Sequence, residues 1–270
     1  MTSALRYEWM RIRTIRSTYW LSIIAVVFGV ALSFLVAMGV HFSISSSDPP
    51  SASDLRGMGP GLATQFAAYG VPYFVAYILA MVAVLAWGHE YRHGMIRATM
   101  TALNSRTAAW VAKLVVTGAW VLLVTAVTIV LSLFSAWLWL HGDHVGVLTH
   151  ATWRVIGRTL LYVLIFCWLA GAFTALVRNQ TAALVLLFLW PLAVETVISV
   201  VFSLVPALRD HENATRFLPF DAGARIVAIY PKSHGTFDYP LSLVGAVTIF
   251  GGLALIAVVA SLVLFRKRDA

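Results

Sequence analysis

His89-Glu90-Tyr91-Arg92-His93 sets two histidines four residues apart with a glutamate between them. On a continuous helix that spacing puts both imidazoles on one face. There they can hold zinc while the glutamate acts as general base toward a metal-bound water. The surroundings argue against this chemistry. No third ligand is adjacent, Gly94 follows at once and weakens a helix, and Arg92 places a cation inside the motif. A second group, His141-Gly142-Asp143-His144 with His150, has metal-capable side chains in a short polar link. Such a cluster is more often solvated than liganded. Glu195 stands alone in an apolar run, where a carboxylate is expensive. It serves either function, as a proton relay or ligand contact, or packing, as a hydrogen-bond partner of a neighbouring helix. No second carboxylate or lysine in the runs completes a relay. No Gly-Lys pair occurs anywhere, so the phosphate-cradling G-x-x-x-x-G-K-[ST] loop is absent and the chain does not hydrolyse ATP by itself.

The elements that must position these residues are membrane-spanning helices. The chain has 270 residues, 60% hydrophobic and only 11% charged, with a mean hydropathy of +0.86. Soluble domains carry about 25% charged residues, so the composition predicts a polytopic all-α membrane protein in one transmembrane domain, residues 1–270. Six spans are expected, at 19–40, 66–87, 108–140, 159–177, 181–205 and 241–265. Trp190-Pro191 should kink the fifth, with Pro191 lacking an N–H for the helix ladder. The third exceeds the ~20 residues needed to cross, and Lys113 suggests that its first turns project into water. The longest polar loop, Pro206 to Pro240, contains apolar stretches that can pack back as short outer helices. Cys167 is the only cysteine, which excludes an intrachain disulfide.

Residues 1–18 read as an amphipathic interfacial helix. Leu5, Trp9, Ile12 and Tyr19 recur at helical spacing, Arg6, Arg11 and Arg13 flank them, and Arg16 sits one turn from the first span, within snorkelling reach of headgroups. The plainer alternative is a basic flank that only fixes topology. Alternate sides of the six expected spans differ sharply in charge. The side with both termini, the 88–113 stretch and the 178–180 turn has twelve Lys and Arg against three acidic residues; the other side has seven against eight. The positive-inside rule therefore puts both termini and the 88–113 stretch in the cytoplasm. The net charge of +8 is thus a membrane signature, not one of nucleic-acid binding. No internal repeat relates the two halves, which disfavours an inverted-repeat secondary transporter.

The cytoplasmic stretch Glu90-Tyr91-Arg92-His93-Gly94-Met95-Ile96-Arg97-Ala98-Thr99, followed by Arg106 and Ala112-Lys113, resembles the first cytoplasmic loop of type-2 ABC exporter permeases of the actinobacterial kind. Glu8-Trp9 with Arg11-Ile12-Arg13-Thr14-Ile15-Arg16 resembles the elbow of the same family. Trp190-Pro191-Leu192 with Glu195, and Leu218-Pro219-Phe220-Asp221-Ala222-Gly223, are similar to its fifth span and last outer loop. The resemblance implies a bacterial plasma-membrane permease that dimerises with itself or a sister permease. It implies a separate ATP-binding subunit that carries ATP and Mg, docked through a coupling helix at about 94–105. Glu90, Tyr91, Arg92, Gly94, Met95, Ile96, Arg97, Thr99, Met100, Leu103 and Arg106 would make that contact, and Leu5, Trp9, Ile12, Arg13 and Arg16 would form the elbow. The chain itself would bind no cofactor and no nucleic acid. Its cargo would be an amphiphilic small molecule, drug or lipid moving outward. The alternative is an intramembrane zinc metalloprotease built on His89, Glu90 and His93.

Overall fold

The computed structural model describes residues 1–45, 74–92, 94, 105–141, 147–209, 212–227 and 241–268. Helix α1 covers Thr2–Thr14 and α2 Arg16–Ile44, separated by the extended Ile15. Helix α3 covers Ala76–Arg92, α4 Arg106–Leu140 and α5 His150–Val177. Helix α6, Gln180–Leu189, runs through a π-helical segment, Trp190–Glu195, into α7, Thr196–Leu204. A four-residue turn of helix at Pro206–Arg209 and a 3-10 helix at Glu212–Phe217 lead to the short α8, Pro219–Val227, and the chain closes with α9, Leu243–Arg268. Among the described residues there is no strand.

Five of these elements are long and apolar enough to cross a membrane: α2, α4, α5, the continuous α6–α7 rod, and α9. The protein is an all-helical, multi-pass membrane protein. The second expected span is described only from Phe74 onward; its α3 portion has 17 residues, a little under the ~20 of a full crossing. Two boundaries differ from the sequence reading, and the kink expected in the fifth span takes a particular form. Helix α3 runs to Arg92, past the expected end at 87. Helix α5 begins at His150, nine residues before the expected 159, because Thr149 and Thr152 form a reciprocal capping box with the first turn. In the fifth span the Trp190-Pro191 step produces a π segment, where the missing proline N–H widens one turn of an otherwise continuous rod.

Lipid tails are as apolar as leucine, so spans associate through close packing and polar contacts. Helix α2 shows this plainly. Its buried residues are Thr18, Ser22, Ala25, Gly29, Ser33 and Ala37, a stripe of small side chains at helical spacing. Large residues such as Val27, Leu35 and Ile24 point outward. The stripe lies on α4, where Ser33 Oγ donates to the Ser132 carbonyl at 3.1 Å and Trp120 Nε1 donates to Ser22 Oγ at 3.0 Å. A β-carbon on Gly29 would come within 2.6 Å of the Thr128 methyl. The centre of the bundle is aromatic. Phe166 of α5 lies 4.8 Å from Tyr77 of α3, 5.9 Å from Tyr162 and 6.2 Å from Phe250 of α9, centroid to centroid.

One end of the bundle, termed basal here, gathers α1, the end of α3, the start of α4 and the end of α9. Arg106 donates to the Arg266 carbonyl at 3.3 Å, Arg266 Nε donates to Thr107 Oγ1 at 3.1 Å, and Trp87 meets Phe265 at 6.0 Å. Gly29→Leu should separate α2 from α4 and lower stability by ~1–3 kcal/mol, the usual cost of overpacking. Leu35→Ala, on the outward face, should be close to neutral. Thermal unfolding in detergent checks both.

Candidate functional site

The basal end holds the densest buried charge among the described residues. Glu8 of α1, Glu90 of α3 and Lys113 of α4 are 4%, 2% and 2% exposed. Lys113 Nζ donates to Glu8 Oε1 at 2.8 Å and to Glu90 Oε1 at 2.7 Å. Arg11 Nη1 donates to Glu8 Oε2 at 3.2 Å and to Glu90, while Arg11 Nη2 donates to the Ala86 carbonyl at 2.7 Å. The four side chains form a closed ring in which each anion touches both cations and each cation both anions. Its formal charge is zero, which is what makes four charges tolerable in a buried place.

Local sequence explains how the ring is assembled. Glu8 and Arg11 are three apart on α1 and share a face. Glu90 falls in the last turn of α3 and Lys113 seven residues after the start of α4. Trp87, one turn before Glu90, is fully buried and roofs the lysine at 5.3 Å from ring centroid to Nζ. Trp110 stands 6.2 Å beyond it.

The ring corrects several sequence-based assignments. Glu90, expected on the docking surface, is interior. Lys113, expected to project into water, is interior too. The buried residues of α1 are Ala4, Glu8 and Ile12; of the expected stripe Ile12 is buried and Leu5 packs against the core. Trp9 is 39% exposed and packs edge-on to Trp120 at 6.0 Å, and Arg13 and Arg16 are exposed. Apolar periodicity gave no sign of the ring, because a matched ion ring, unlike a lone charge, can take the inner side of an amphipathic helix. The available signal was one acidic residue, Glu8, within an arginine-rich segment, with Lys113 well inside an apolar run.

Other candidates are placed as follows. Tyr91 is half-buried with Arg178 5.9 Å from its ring, Arg92 is exposed, and Arg106 reaches the end of α9. Gly94 adopts a left-handed φ of 63°, and its N–H donates to the Tyr91 carbonyl at 3.4 Å, closing the end of α3. Met95, Ile96, Arg97, Thr99, Met100 and Leu103, and with them nearly all of the expected coupling helix, lie outside the described residues, as do His93 and His144. Among the described residues no three His, Cys, Asp or Glu side chains gather as a metal site. Glu90 is held by two cations, which leaves it poorly suited to act as a general base.

Glu195 forms a second buried polar centre. It closes the π segment, is 5% exposed, and accepts the backbone N–H groups of Phe220 and Asp221, one on each carboxylate oxygen, both at 3.0 Å. The side chain thus caps the first turn of α8 and ties it to the fifth span. Helix α8 carries its own i,i+4 pair, Asp221 with Arg225 at 2.8 Å, and approaches α9 so closely that a β-carbon on Gly223 would lie 3.0 Å from the Phe250 ring. Compared with known proteins, the sequence matches no family model and no curated protein.

Lys113→Met should leave two buried carboxylates sharing one arginine and cost ~3–5 kcal/mol. Adding Glu8→Gln to Lys113→Met should recover part of that loss, with a coupling of ~0.5–3 kcal/mol between the two sites. Unfolding of the single and double variants in detergent measures both quantities.

Proposed function

We propose that this chain is the membrane subunit of an ATP-driven exporter of the type-2 ABC kind, resident in a bacterial plasma membrane. In this reading it has six spans, with both termini and the basal end in the cytoplasm and α1 lying as an elbow at that surface. It works as a dimer with itself or a sister permease, and a separate ATP-binding subunit holds ATP and Mg. The coupling helix is the 94–105 stretch, with Met95, Ile96, Thr99, Met100 and Leu103 as its apolar face and Arg92, Arg97 and Arg106 meeting acidic groups on the partner.

The observation that carries this reading is the ring's position. Glu90 stands two residues before the end of α3, and Lys113 seven residues into α4, so the ring brackets the excursion joining them. A partner pulling on that excursion would move α3, α4 and α1 together, since separating any of them exposes an unpaired buried charge. Rigid helices then carry the displacement across the bilayer, the shear or rigid-body motion expected of a switching transporter. An amphiphilic cargo would pass between the second span, α3, and the fifth, α6–α7, of the two protomers, with α8 near its exit. The zinc protease reading is weakened by the engagement of Glu90 with Lys113 and Arg11.

Purification of the tagged protein from its native membrane tests the proposal. An ATP-binding subunit carrying a phosphate-loop sequence should accompany it. Arg97→Glu should reduce that association by at least about tenfold, the loss of a rim charge pair turned into repulsion, without changing thermal unfolding. Purification free of any ATP-binding subunit, with one zinc per chain, would point to the protease instead.

A further inference from the structure

A cavity of about 380 Å3 opens between α3, α5, the fifth span and α8. Tyr77, Tyr162, Glu195, Ser199, Ser203 and Asp221 are among its walls. It falls between the second and fifth spans and is large enough for a drug-sized group. Its charges are unbalanced. Asp221 is paired with Arg225, but no Lys, Arg or His among the described residues pairs with Glu195, whose oxygens meet only neutral N–H groups. A carboxylate in a span with space in front of it and no cation beside it favours a positively charged guest. Tyr77, Tyr162 and Phe220 line the same space, and aromatic side chains add an attraction for organic cations.

A second cavity of about 430 Å3 lies on the other side of Phe220, which lines both. Its walls are wholly apolar, among them Phe173, Leu187, Trp190 and Leu253. Trp190 and Pro191, neighbours in the π segment, face the apolar and the polar cavity respectively. The π turn therefore sets an acidic, aromatic chamber beside an oily one.

We infer that this pair of cavities binds an amphiphilic organic cation, with its charged head against Glu195 and its apolar body toward the chamber lined by Phe173 and Leu253. That such a ligand is cargo rests on the transport reading; that it binds does not, since no ATP-binding partner is needed.

The test uses the full chain in lipid nanodiscs, with empty nanodiscs subtracted, and two probes of nearly the same shape and opposite charge, tetraphenylphosphonium and tetraphenylborate. Saturable binding of the phosphonium and none of the borate is expected. Glu195→Gln should weaken phosphonium binding by at least about tenfold, the scale of one charge-assisted contact. Because Glu195 also caps α8, Ser199→Leu supplies an independent check: it fills the polar cavity without touching the cap and should weaken binding as much. Equal binding of both probes, non-saturable uptake, or retention by Glu195→Gln while Ser199→Leu loses binding would overturn the assignment of a cation. Phosphonium binding by a protein that comes out of its native membrane without any ATP-binding subunit would leave this inference standing and remove the transport reading alone.

Discussion

Four charged side chains from three helices meet at the basal end, and the geometry of that region follows from their need to stay together. Buried ions are costly to desolvate, and a pair recovers the cost only with good geometry and satisfied lone pairs. Here Glu8, Arg11, Glu90 and Lys113 alternate in sign around a closed circuit, and the spare N–H of Arg11 finds the Ala86 carbonyl. The circuit determines which face of α1 turns inward, how far α3 continues before it ends, and where α4 crosses it. Trp87 completes the arrangement by covering the lysine with a ring face, shielded by Trp110 and Phe265.

Away from that end the bundle is held by different means. The α2–α4 contact uses small residues and hydroxyl-to-carbonyl bonds, so the backbones approach closely and large side chains are left for lipid. The fifth span is peripheral by contrast: Ala183, Leu187 and Glu195 are its only buried residues. Glu195 anchors it through the first turn of α8, which in turn lies on α9 beneath Phe250. A rod attached at few points, beside a π turn, is the part that the proposed transport cycle would move. The tightly paired basal end is where, in that proposal, a partner would apply force.

Much of the architecture was legible in the chain. Continuous apolar runs with at most one charge each marked α2, α4, the fifth span and α9 to within a few residues, because hydrocarbon leaves a backbone few options but a helix of set length. The irregularity at Trp190-Pro191 was legible for the same reason, since proline removes an N–H that only a widened turn can accommodate. The early start of α5 was not, because its threonine capping box opens a helix whose first turns carry Arg154 and Arg158 and look like a loop. Nor was the role of Glu195 decided by sequence: both readings were open, and its carboxylate proved to be a cap on a helix more than twenty residues later.

Composition and periodicity by themselves determined the class: an all-helical membrane protein whose spans, basic side and lone intramembrane acid can be read from single residues and their spacing. Those features depend on solvent, and solvent acts on each segment separately. Only the tertiary structure decided that Glu8, Arg11, Glu90 and Lys113 are one object, that α1 buries its charged side, and that Glu195 faces a cavity across from Tyr77. Each of these joins residues from different helices, with Glu8 and Lys113 105 positions apart. A charge counted along the chain reads as exposed until its opposite number arrives from another helix, and local pattern carries no record of which helix that will be.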